Sequence, residues 1–148
     1  MSEFRELEAW LAGMLTRMDA PARRVLARAV AVELRRRQAA RIAEQRNPDG
    51  SPYAPRKPQL RHRKGRIRRA MFARLRLAGY MKAEVDANTA VVTFVNKARR
   101  IAAVHHFGLR DRVNKSGLMA QYPARELLGL DAADVETVTN LVAQHLAP

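Results

Sequence analysis

Apolar positions along residues 3–18 recur at steps of three and four, at Phe4, Leu7, Leu11, Met14 and Met18. That spacing predicts one face of an amphipathic helix, with Trp10 and Leu15 widening it. Asp19 followed by Pro21 marks a second helix start, because the carboxylate can cap free amides and proline is tolerated in the first turn. From there an Ala-, Arg- and Leu-rich run reaches about Gln45 with no further proline and no glycine. Its composition favours helix, about 38 Å long at 1.5 Å per residue. Arg35, Arg36 and Arg37 wrap around this end, so it cannot be buried on all sides.

Asn47-Pro48-Asp49-Gly50-Ser51-Pro52 stops the helix and forms a turn by residue choice. Residues 53–67 (YAPRKPQLRHRKGRI) bring further prolines and seven basic side chains, His62 included, with almost no apolar pattern. Residues 46–67 are therefore expected to form an exposed, mobile loop that a partner would have to order. A short helix is expected at Arg68–Leu75.

The period then changes to two. Met81, Ala83 and Val85 alternate with Lys82, Glu84 and Asp86, and Thr89–Val95 is rich in β-branched residues. With Asp86-Ala87-Asn88 between them, this predicts a β-hairpin. A helix over Ala98–His106 would end at Phe107-Gly108 with glycine as its cap. Residues 109–117 read as a second loop, Leu118–Tyr122 as a third strand and Pro123–Gly129 as a short helical turn. Asp131 opens a last helix to about His145, with Val135, Val138, Leu141, Val142 and Leu146 as its apolar face. The expected fold class is α+β in a single domain over 1–148: N-terminal helices, a small antiparallel sheet with a long basic loop, and a C-terminal helix.

Charge changes the picture. The 148 residues hold 28 Lys+Arg against 14 Asp+Glu, a net charge of +14. Fifteen of the basic residues and only Glu44 and Asp49 among the acids fall between Arg35 and Arg76. The C-terminal segment is mildly acidic, with Arg125 set against Glu126, Asp131, Asp134 and Glu136. The two regions could attract each other between copies of the chain or within one chain. A polyanionic partner is also in keeping with this charge, and Arg56, Lys57, Arg61, Arg63, Lys64, Arg66, Arg68 and Arg69 are the set that would face it.

Catalytic signatures are lacking. There is no cysteine, which rules out disulfides and thiol nucleophiles. His105 and His106 are adjacent and would point to different sides, and no acid stands at a metal-ligand spacing from them. No hydroxyl lies in a nucleophile elbow, and Gly50, Gly65 and Gly79 make no phosphate-cradling loop. No enzyme activity, metal or cofactor is expected. No apolar run approaches the length of a membrane span, and the acidic N-terminus lacks the order of a secretion signal, so no membrane association is expected.

Three blocks then occur in a telling order. Arg37-Gln38, Arg41-Ile42 and Gln45 lead into Asn47-Pro48-Asp49-Gly50 and Pro52-Tyr53-Ala54-Pro55-Arg56-Lys57; His105-His106-Phe107-Gly108 follows; Pro123-Ala124-Arg125-Glu126-Leu127-Leu128-Gly129-Leu130 comes last. Together they resemble the phage virion morphogenesis family, which includes tail completion proteins of contractile-tailed phages and Mu-like G proteins. In that family an aromatic, commonly tryptophan, follows the turn, and Tyr53 fills the place here. The resemblance implies a structural protein that finishes the tail and supports head–tail joining, as a ring, often sixfold, at the head-proximal end of the tail. Expected partners are other copies of the chain and tail tube or neck proteins. The expected location is the virion, after assembly in host cytoplasm.

In this reading Asn47, Pro48, Asp49 and Gly50 set the turn that launches the basic arm. Phe107 and Gly108 anchor the second loop to the core. Pro123, Arg125 and Gly129 fix the start of the last segment, with Arg125 pairing with an acid on another chain. The alternative function is a small architectural protein that makes non-specific contact with DNA, here genomic DNA.

Overall fold

The computed structural model describes residues 2–56 and 70–146. Helix α1 covers Ser2–Leu15 and α2 covers Ala20–Ala43. Asp19 caps α2 as its sequence predicts, its side chain accepting from the Ala22 amide at 2.9 Å. At 24 residues α2 is about 36 Å long. It ends where Gln45 enters a left-handed conformation (φ 59°).

Strand β1 (Met81–Val85) pairs antiparallel with β2 (Ala90–Phe94), Met81 opposite Phe94 and Val85 opposite Ala90. The hairpin packs on α2, and Arg35 fixes it by donating from Nε to the Met81 carbonyl at 2.8 Å. Helix α3 (Asn96–Phe107) follows, ended by Gly108 in the left-handed region (φ 66°). Strands β3 (Arg110–Arg112) and β4 (Met119–Gln121) form a second two-stranded sheet, and α4 (Ala132–Leu146) lies against α2. The core gathers Ile42 of α2, Tyr53, Leu75, Met81 and Phe94 of the hairpin, Ala98 and Ala102 of α3, and Leu127.

The α+β class holds, with three corrections to the element reading. Residues 70–75 form turns instead of helix; Arg68 and Arg69 lie outside the described residues. The stretch read as a second loop contains β3, and β4 pairs with it instead of joining the β1–β2 sheet. Pro123–Gly129 contains no helical turn. Its amides are taken by distant groups: Arg125 N–H by the His105 carbonyl, Glu126 N–H by Asn47 Oδ1, Leu127 N–H by His106 Nδ1 and Gly129 N–H by Gln38 Oε1. A helix would have to give all of these up.

Candidate functional site at the base of the basic arm

The Asn47-Pro48-Asp49-Gly50 turn builds itself. Gly50 N–H returns to the Asn47 carbonyl at 2.9 Å with φ 89°, a conformation that suits glycine. Asp49 Oδ1 accepts from the Ser51 amide at 2.8 Å and from the Ser51 hydroxyl, and these bonds hold its carboxyl below the ordinary aspartate range. Arg46 and Pro52 form a single antiparallel bridge across the turn.

The second half of the turn is pinned by the C-terminal block. Tyr53 is 5% exposed, not part of an open loop, and its hydroxyl donates to the Glu126 carbonyl at 2.9 Å. Burial pushes its phenol up to about 12. Arg125, also 5% exposed, donates from Nε to the Ala54 carbonyl at 2.8 Å and from Nη2 to the Pro55 carbonyl at 3.1 Å. Its guanidinium is thus turned inward onto its own chain, where the sequence reading placed it on an acid of another copy. A planar fork meeting two successive carbonyls explains the choice of arginine.

The far end of the basic segment is pinned just beyond α2. Gln45 Oε1 accepts from the Met71 amide at 3.1 Å while Gln45 Nε2 donates to the Met71 carbonyl at 2.9 Å. Arg125 and Gln45 therefore hold the chain just before and just after residues 57–69. Of the eight basic residues expected to face a polyanion or partner, only Arg56 is described, and it is exposed. Lys57, Arg61, Arg63, Lys64, Arg66, Arg68 and Arg69 lie outside the described residues.

Charge pairing between the basic middle and the acidic C-terminal segment occurs within the chain. Asp134, fully buried, receives Arg37 Nε at 2.5 Å and Arg41 Nη2, and Arg41 Nη2 also meets Asp131 Oδ2 at 3.1 Å. Arg41 Nη1 adds bonds to Gln38 Oε1 and the Gly129 carbonyl, both 2.9 Å. Burial alone would raise the Asp134 carboxyl. The Asp131 amide and the two guanidiniums outweigh it and hold the group below the ordinary aspartate range.

Gly108 and Gly129 are places of close approach. A Cβ on Gly108 would lie 2.7 Å from the Ala124 nitrogen. Phe107 does not anchor the loop to the core: it is 67% exposed, and its ring meets that of His106 in a T-shaped contact, centroids 4.6 Å apart. The reason is angular. His106 is turned inward to serve Leu127, which leaves its neighbour on the helix facing outward.

Four rings form a row that sequence reasoning did not find: Tyr53, Phe72, His105 and Tyr122, with successive centroid separations of 5.7, 5.0 and 4.8 Å. Gln38, Gln45 and Asp134 were likewise not singled out as joining these parts. For Gln38 and Gln45 the available signal was their place in the first of the three family-like blocks. Among the described residues there is no group of three or more acids or histidines that could hold a metal ion, and no helix long and apolar enough to cross a membrane.

The family-like blocks of the sequence thus converge on one construction, which grips both ends of a basic segment. Residues 2–147 match the model of the Phage virion morphogenesis family. The chain is 37% identical over 148 residues to tail completion protein S of Escherichia phage P2, covering 99% of each chain. No solved structure matches.

Proposed function

This chain belongs to the phage virion morphogenesis family, and we propose that it completes the phage tail, acting as a ring at the head-proximal end that supports joining to the head. The observation that carries the reading is the full-length likeness to a tail completion protein. The construction above fits it, since Arg125 and Gln45 bond the chain on either side of the basic residues 57–69.

Contacts between copies in this reading use apolar surface. Asp131 and Asp134 are engaged within the chain, so they do not provide the acidic half of a head-to-tail charge pair. Ile101, Phe107, Val113 and Leu118 are each more than half exposed and offer area for association. The partners are copies of this chain and tail tube or neck proteins.

Deleting the gene from the phage that carries it should leave tails that do not join heads, visible by electron microscopy, with rescue in trans. Normal joined particles from the deletion would overturn the reading. Light scattering on nuclease-treated protein tests the ring: a discrete oligomer of about six copies that persists at high salt is expected. A monomer both alone and on isolated tails would overturn the ring.

The charge of +14 supports a second reading, non-specific contact with genomic DNA. Duplex affinity should then fall about a thousandfold or more between roughly 50 and 200 mM salt, if six or more phosphates are engaged.

A further inference from the structure

Beside the base of the arm lies a cleft of about 360 Å³, walled by Met71, Phe72, His105, Tyr122 and Pro123, with Arg56 and Arg125 on its lining. The imbalance in its chemistry lies at Arg125. Arg125 is almost fully buried, yet its bonding partners are the neutral carbonyls of Ala54 and Pro55. Burial, and after it the nearby Arg56 charge, depress its basicity. His105 adds a buried Nδ1 with no hydrogen-bond partner. Among the described residues no carboxylate lines the cleft, and the sequence contains no acid between Asp49 and Glu84. A buried cation without a counter-charge costs stability, so its retention calls for an explanation.

The backbone points the same way. Phe72 sits at φ 64°, a strained conformation for a bulky side chain and one that accumulates at ligand sites. It places the ring between those of Tyr53 and His105.

We propose that this cleft receives an acidic segment of a partner protein, seating an apolar or aromatic side chain against Phe72, His105 and Tyr122 with a carboxylate beside Arg56 and Arg125. Shape selects a peptide over a duplex. A concave, side-chain-sized hole walled by rings suits one anchor residue, whereas duplex phosphates need cations spread along an open surface. The inference does not depend on which assembly the chain enters, and it adds the chemistry of the partner to the tail-completion reading.

The test uses the full chain and 3-phenylpropionate as probe, followed by NMR of the His105 and Tyr122 rings. The neutral analogue 3-phenylpropanol, inorganic phosphate and a DNA duplex serve as comparisons. Saturable shifts at millimolar probe are expected, at least fivefold weaker with the alcohol. Arg56→Gln, a change at an exposed position, should remove most of that preference for the acid over the alcohol. Equal binding of acid and alcohol, no saturable shift, or an unchanged preference in Arg56→Gln would each overturn the proposal. So would phosphate or duplex shifting the two rings at lower concentration than the carboxylate, which would assign the cleft to nucleic acid.

Discussion

The side chain of Pro48 fills the space that a side chain at Gly129 would need: a Cβ added there would lie 2.5 Å from Pro48 Cγ and 3.0 Å from its Cβ. The Asn47–Gly50 turn is thereby seated on the C-terminal block. Gly129→Ala should destabilise the protein by about 1–3 kcal/mol through overpacking, read as a lower urea midpoint. Adding Pro48→Ala should recover part of the loss, and a double-mutant cycle would show the coupling. Additive effects would mean that the two residues do not bear on each other.

Asp134→Asn removes the charge that two arginines share in a buried position. Losing one partner of such a group costs about 3–5 kcal/mol, so the expected result is a large fall in thermal midpoint. The wild type should show a matching acid sensitivity. The Asp134 carboxyl is held below its ordinary value of 3.8, so its stabilising contribution is complete above that value. It is lost as pH falls from there through the lower folded value. In Asp134→Asn this acid-dependent component should be missing.

Tyr53 gives an alkaline signature. Its phenol is pushed from 10.0 to about 12, so the folded state favours the neutral form. That contribution is present below 10 and is lost as pH rises through about 12. Ultraviolet titration should show a phenolate step near 12 that Tyr53→Phe abolishes. The same substitution removes the bond to the Glu126 carbonyl, at a cost of about 0.5–1.5 kcal/mol.

Arg125→Lys keeps the charge and loses the fork that meets Ala54 and Pro55. With a single ammonium in place of two directed N–H groups, the protein should lose about 1–3 kcal/mol. Hydrogen exchange should rise at the amide of Leu127 more than in α2. A uniform rise would show that the fork supports the whole fold instead of the arm's base.

Much of this arrangement was legible in the sequence where the determinants are local. The Asp19 cap, the Asn47–Gly50 turn and the Gly108 helix stop each rest on preferences of a few adjacent residues, and all three are present. Strand β3 was not legible, because Arg110-Asp111-Arg112 has no apolar alternation and its strand conformation comes from pairing with β4. Pro123–Gly129 misled for a related reason: good local helix residues are outbid by hydrogen-bond partners remote in sequence. Charge composition showed that basic and acidic regions could attract, but only three-dimensional placement decides that Arg37 and Arg41 meet Asp134 in their own chain. The row of four rings draws on four separate segments and left no pattern to read.

The amides of Pro123–Gly129 are spoken for by Gln38, Asn47, His105 and His106, and this has a consequence in time. A ribosome makes α2 and the basic segment well before the residues that will clasp them. At about 5–20 residues per second, the segment is out for several seconds with only the Gln45–Met71 pair available to hold it. The clasp on Ala54 and Pro55 therefore arrives in one late step, when the C-terminal block closes over partners already waiting. A truncated nascent chain would carry the charge without that clasp.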